Sequence, residues 1–370
     1  MFRRDFEPKV VSDKHNLNPK HWILGLVLAF LVIWSISFFL GDTLTIYTWS
    51  PTIGRMIRPP GSVQKSRSEG WGTSRFGQLD VIGVDDVSKN EIPAIAIWGN
   101  SYVEAFQVEQ WERMQEILIR MWRTDGIKSL TAFGIGDSGE SVADYYFKIP
   151  RYEKSCPNII AHFIILGDLS DVLPDQSSAE RSAFRSKPEY RIVERNREPE
   201  HQRIKAVLRK CRLDFLWFPA RSLIKETKLR FSLGPRKAEP ENTEAVRDPK
   251  TEKAFSFLLN ALRRQTTKPM IFVYCPQVPA IKGGEVRFAD PDAQVISVFS
   301  RECRHNGIGF IDMTQDFWKH YMETGRFPRG FINSRPSEGH FNRDGHRLIA
   351  EAMYRDSLSM NGISNAFHAN

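Results

Sequence analysis

The sequence predicts an α/β domain, with helices covering both faces of a mostly parallel five-stranded sheet, preceded by one transmembrane helix. Three observations predict it. Short apolar runs, most of them stopped by Gly or Pro, alternate with amphipathic helical stretches after residue 92, and strands alternating with helices imply a parallel sheet covered on both faces. Trp22–Leu40 holds 19 residues without a charge. The chain has 370 residues, 41% of them hydrophobic and 26% charged, a globular composition that excludes global disorder, collagen and coiled coil.

The N-terminal span comes first. Nineteen helical residues reach about 28 Å, roughly one bilayer core. Arg3, Arg4, Lys9, Lys14 and Lys20 precede the span, while only Arg55 and Arg58 fall within the 20 residues after it. The positive-inside rule then places residues 1–21 in the cytoplasm and everything after about residue 42 outside. The segment after the span lacks a small-x-small cleavage pattern, so a retained single-pass anchor of the inner (plasma) membrane is expected, with a periplasmic or otherwise extracytoplasmic domain.

Residues 41–91, rich in Gly, Pro, Ser and charge, read as a stalk leading into an irregular N-terminal lobe. The domain proper is expected over 92–360. Its strands are Ala94–Trp98, Ser129–Phe133, Ile159–Leu166, Met270–Cys275 and Ile308–Met313. Gln110–Trp122 places Trp111, Met114, Leu118, Met121 and Trp122 at helical spacing, a core-facing stripe. Pro291–His305 and Arg343–Leu358 are the other expected helices.

About 174–250 is too long for a connecting loop and reads as a helical insertion with one apolar patch, Leu213–Pro219. The net charge of +8 is concentrated there. Residues 181–237 carry 17 Lys/Arg against 6 Asp/Glu, and the rest of the chain nets −3. With no zinc-finger spacing and no RNA-recognition motif, a nucleic-acid partner is not expected. Anionic glycan or lipid headgroups suit the insertion, as lid, membrane-resting surface or solvated arm. Cys156, Cys211, Cys275 and Cys303 form no CxxC, so no metal site is indicated. One or two disulfides are permitted outside the cytoplasm but not required.

In parallel sheets ligands bind at the carboxyl ends of the strands, and two motifs fall there. Gly99-Asn100-Ser101-Tyr102 directly follows the first strand and presents a serine hydroxyl on a tight strand-to-helix turn. Glu338-Gly339-His340-Phe341-Asn342 precedes the last helix, where a loop histidine can reach the same edge and a nearby carboxylate can orient it. Asn342 is placed to cap that helix. His346, inside the helix, reads as structural.

Together these stretches resemble the SGNH/GDSL hydrolase family. GNSYVEAFQV is similar to its first block and EGHFN..GHRLIAE to its last. Phe133–Ser138 is similar to its second block, and Leu166–Asp171 lies where its third belongs. The resemblance covers roughly residues 92–173 and 268–358. It implies the flavodoxin-like SGNH hydrolase fold and a serine hydrolase without metal or cofactor. Ser101 would be nucleophile, His340 base and Glu338 the orienting acid, with Ser337 at the other spacing relatives use. The N–H groups of Ser101 and Gly136 would bind the oxyanion. Asp168 stands near where relatives place an Asn donor, and an ionised Asp only accepts hydrogen bonds. The anchor and the VEAFQV wording most resemble membrane-anchored members associated with polysaccharide O-acetylation. The implied substrate is an O-acylated extracellular or cell-envelope glycan, handled by an esterase or O-acyltransferase, with a polysaccharide synthesis or acetylation complex as a partner. The alternative is a weakened or inactive scaffold or glycan-binding protein of such a complex.

Overall fold

The computed structural model describes residues 19–82, 87, 91–168, 172, 183–185, 190–194, 201–217 and 249–359. Five parallel strands form the central sheet: β1 (Ala94–Gly99), β2 (Thr131–Gly136), β3 (Ile159–Leu166), β4 (Met270–Tyr274) and β5 (Gly309–Asp312). Their spatial order is β5-β4-β3-β1-β2. The order doubles back between β1 and β3, the kind of switch point where sheets of this class bind ligands.

The strands are apolar at consecutive positions because both faces are covered. Ala94, Ala96 and Trp98 face one core with Tyr145, Ile149 and Tyr152 of α4 (Val142–Ser155), Phe255 and Leu258 of α6 (Pro249–Arg263) and Phe299 of α7 (Ala293–His305). Ile95 and Ile97 face the other, with Met114, Leu118 and Trp122 of α3 (Met114–Thr124), Phe317 of α8 (Thr314–Thr324) and Ile349 and Met353 of α9 (Arg343–Ser359). Burying side chains of this size contributes about 1.5–3 kcal/mol each.

α1 (Pro19–Leu40) starts three residues before the expected span and has no buried residue. It is long and apolar enough to cross a membrane. The expected core stripe after β1 is corrected at its start. Gln110–Glu112 is a 3₁₀ turn and Trp111 lies 53% exposed, whereas Met114, Leu118 and Trp122 are buried. β2 also runs three residues past its expected end, through Gly134 and Gly136. A Cβ at Gly136 would overlap the backbone of Glu104, and one at Gly134 would press on Val103. The glycines therefore mark close packing by the turn after β1 rather than a strand end.

Residues 42–82 form a packed lobe. Two antiparallel pairs, Thr48–Ser50 with Arg55–Ile57 and Val63–Ser66 with Gly72–Arg75, build it. Ile82 exchanges both backbone hydrogen bonds with Gly134, at 2.9 and 3.0 Å, and so covers the outer edge of β2. Within the insertion, the described parts are a short pair (Ala183–Arg185 with Arg191–Val193), α5 (Gln202–Lys210) and a 3₁₀ turn at Asp214–Leu216. The remainder of the insertion, including Phe218 and Pro219, lies outside the described residues. All four cysteines are free thiols.

Candidate active site

β1 ends at Gly99, and Asn100 turns the chain into α2 (Ser101–Glu104). The Asn100 side chain accepts from the Tyr102 amide and caps the helix. Asn here fixes the same turn an Asp would, without a charge. Ser101 is the first residue of α2, half-buried at the carboxyl edge of the sheet.

Two glycines let other segments close on this turn. Gly136, at the end of β2, lies against Asn100–Glu104. Gly167, one residue beyond β3, packs so closely on Tyr102 that a Cβ would overlap the ring. Asp168 follows, half-buried, while Leu169–Asp171 lie outside the described residues. The structure thus brings Ser101, Gly136 and the start of the third block to one place.

His340 reaches the same place from the loop before α9. Its ring lies 5.8 Å from that of Tyr102, and Phe341 packs on Tyr102 at 4.8 Å. Asn342 Oδ1 caps α9 through the amides of Asp344 and Gly345, at 3.0 and 3.2 Å, which fixes where the loop must end. Arg329, only 3% exposed, holds the loop from beneath. Its guanidinium donates to the carbonyls of Gly339 at 3.0 Å and Gly167 at 3.4 Å, and to that of Cys275. It also lies over the Tyr102 and Phe341 rings at 4.7 and 4.2 Å. One buried cation therefore joins the ends of β3 and β4 to the histidine loop.

The carboxylate that meets His340 in the structure is not Glu338. Glu338 points to solvent, its carboxylate 3.4 Å from Arg335. It sits between Ser337 (φ +64°) and Gly339 (φ +76°), and this pair of left-handed residues turns its side chain away from His340. Ser337, at the alternative spacing, is buried with no partner for its hydroxyl among the described residues. Glu69, on the loop of the Val63–Arg75 pair, is the carboxylate in contact with His340. Glu69 Oε2 lies 2.6 Å from His340 Nδ1, and Glu69 Oε1 accepts from the His340 amide at 3.0 Å. A Cβ at Gly339 would overlap Glu69 Oε1, so glycine is needed there for the approach. Burial pushes the Glu69 carboxyl up, but the hydrogen bonds and attraction from His340 outweigh it and leave the group below its usual pKa. An ionised Glu69 accepts from Nδ1–H and leaves Nε2 as the basic nitrogen.

Asn333 fastens the two loops. Its Oδ1 accepts from the Gly70 amide at 2.9 Å, and its Nδ2 donates to the carbonyls of Arg67 at 3.0 Å and Gly70 at 3.1 Å. Behind the serine turn lies a buried ionic network centred on Arg58. Arg58 binds Asp80 through Nε (2.6 Å) and Nη2 (3.0 Å), donates to the Gly136 carbonyl at 2.5 Å, and pairs with Glu104 of α2. Ser138 donates to the other oxygen of Glu104. Burial raises the carboxyl pKa of Asp80 to about 6 and also raises that of Glu104, each against the pull of Arg58. Arg58 thus ties the lobe both to α2 and to the strand end carrying Gly136.

Glu69, Arg58, Asn333 and Arg329 escape sequence reasoning. Serine at position 337 is the single hint that the acid comes from elsewhere. A Glu in a polar hairpin loop 271 residues away carries no mark of its partner.

Among the described residues, no group of His, Cys, Asp and Glu could hold a metal ion. No protein-family model matches the sequence, and no curated protein matches it. The fold is similar to three solved esterase structures. An acetyl xylan esterase aligns with TM-score 0.38 and 13% identity, over 71% of this chain and 98% of that one. The lipase/acylhydrolase from Enterococcus faecalis gives 0.37 and 12%, over 71% and 94%. A psychrotrophic esterase from Pseudoalteromonas sp. gives 0.36 and 11%, over 71% and 95%.

Proposed function

We propose that this chain is a membrane-anchored serine hydrolase of the SGNH type that cleaves or transfers O-acyl esters of an extracytoplasmic polysaccharide. One observation carries the reading: a carboxylate holds His340 Nδ1 beside the serine turn at the carboxyl edge of a parallel sheet. Ser101 Oγ attacks the ester carbonyl while His340 Nε2 takes its proton, and Glu69 stabilises the imidazolium. The amides of Ser101 and Gly136 receive the oxyanion. His340 then returns the proton to the departing alcohol, leaving an acyl-Ser101. Water or a glycan hydroxyl, deprotonated by His340, completes the cycle. α1 is the anchor, with its N-terminus in the cytoplasm, and an acetylation or synthesis complex supplies the glycan.

A fluorophosphonate probe tests the chemistry. Wild type should label at Ser101 and the Ser101→Ala variant should not. A second reading rests on Asp168, a carboxylate where an amide donor would help an oxyanion. Folded wild-type protein that resists labelling while binding acetylated glycan would establish the scaffold reading instead.

A further inference from the structure

We infer that the segment from α5 through Trp217 is a lipid-binding collar, seated in the leaflet at the carboxyl end of α1 and built to hold an anionic phospholipid headgroup. The inference rests on the reading of α1 as a retained anchor.

The contacts set the depth. Trp34 Nε1 donates to the Arg212 carbonyl at 3.1 Å, and the Phe215 ring lies 6.0 Å from that of Phe30. Trp34 and Phe30 lie six and ten residues before the end of α1, about 9 and 15 Å along its axis. A hydrocarbon core of about 30 Å has a half-thickness near 15 Å. Residues 212–217 therefore lie against the last turns of the anchor, with Arg212 and Asp214 at its water-facing end and Phe215 on the apolar side. Asp214 faces the cavity between collar and anchor, accepting from the Leu44 amide at 2.8 Å and lying 3.7 Å from Arg209.

The chemistry suits such a place. Residues 202–217 carry five Lys/Arg and one Asp. On α5, Ile204 and Val207 stand exposed on one stripe, flanked by Arg203, Lys205 and Lys210. A basic helix with an apolar stripe lies in an interface plane. Lys205 stands over the Trp217 ring at 5.2 Å, an aromatic–cation pair suited to the headgroup level.

A cavity of about 300 Å³ opens where collar and anchor meet; its charged lining is Lys65, Arg209 and Arg212 against Asp42 and Asp214, with Phe38 and Phe215 on its apolar side. Lys65 and Arg212 both lie on the Phe38 ring, at 5.0 and 4.9 Å, and no ion pair joins either to a described carboxylate. Asp42 Oδ1 is already committed to the amides of Arg67 and Ser68. Two cations sharing one ring repel each other unless an anion bridges them, and a lipid phosphate arrives at this height. Its acyl chains then continue down the Phe38–Phe215 side of the cavity.

The test uses the full chain in nanodiscs containing phosphatidylglycerol and phosphatidylcholine. Native mass spectrometry should show phosphatidylglycerol retained over phosphatidylcholine. Each cation removed should weaken retention roughly fivefold, so Lys65→Ala with Arg212→Ala should lose on the order of 25-fold, with unchanged circular dichroism. A spin label at Phe215→Cys, in a Cys211→Ser background, should collide with oxygen more than with an aqueous nickel chelate. Equal retention of both lipids, or a water-exposed label on an intact chain, would overturn the collar while leaving the anchor standing. An intact mass showing a chain that begins after Leu40 would remove both.

Discussion

Among the described residues His340 has one carboxylate partner for its two ring nitrogens, so the identity of that partner decides which nitrogen can act as base. Glu69 contacts Nδ1, and Glu338 faces Arg335. Glu69→Gln should therefore lower turnover of a small acyl ester on the order of 1,000-fold, because the amide no longer fixes the tautomer or balances the imidazolium. Glu338→Gln should stay within about twofold. Comparable losses in both variants would return the role to Glu338. His346 makes a separate point about burial. Burial, with the nearby positive charges of Arg113 and His340, lowers its pKa to about 3. The neutral form is favoured by folding, so its stabilising contribution is full above the unfolded histidine pKa of about 6.5 and is lost as pH falls below it. Denaturant titrations at pH 8 and pH 5 should show the wild type losing about 2 kcal/mol more than His346→Met. Parallel losses would mean that His346 titrates normally.

Among the elements, the strands were legible and the lobe was not. Short apolar runs located all five sheet strands, because a strand buried on both faces leaves a continuous signal. The sequence also places the Ser101 turn directly after a strand and His340 in the loop before the last helix, and the structure brings those two segments together at Tyr102. The 42–82 lobe gave no such signal. Its strands are three or four residues long, too short for alternation to stand out, and its work is done by single polar contacts. Asn333 shows the consequence. It is exposed and unremarkable in sequence, yet its three bonds seat the loop that carries Glu69. Asn333→Ala should reduce turnover about tenfold through a looser Glu69–His340 bond, while shifting the melting temperature by only a few degrees. A melting temperature that falls steeply along with activity would make Asn333 a general stabiliser and not a positioning residue.

Across the whole molecule, the Arg58 network joins lobe, nucleophile helix and sheet edge into one unit. Replacing Arg58 with Met leaves Asp80 and Glu104 buried without their cation, which should cost about 3–5 kcal/mol. Adding Asp80→Asn and Glu104→Gln to Arg58→Met removes the stranded charges and should recover much of that loss in urea denaturation. A triple variant no better than the single one would show that Arg58 stabilises through its packing on Phe76 and not through charge.

The position of Glu69 also sets where a soluble form may begin. The proposed nucleophile and base lie after residue 94, but the proposed acid lies between α1 and the sheet. A chain shortened to start between Arg75 and Ala94 would keep Ser101 and His340 and lack Glu69. A soluble version that is to be active under the proposed function must therefore keep the chain from about Asp42 onward.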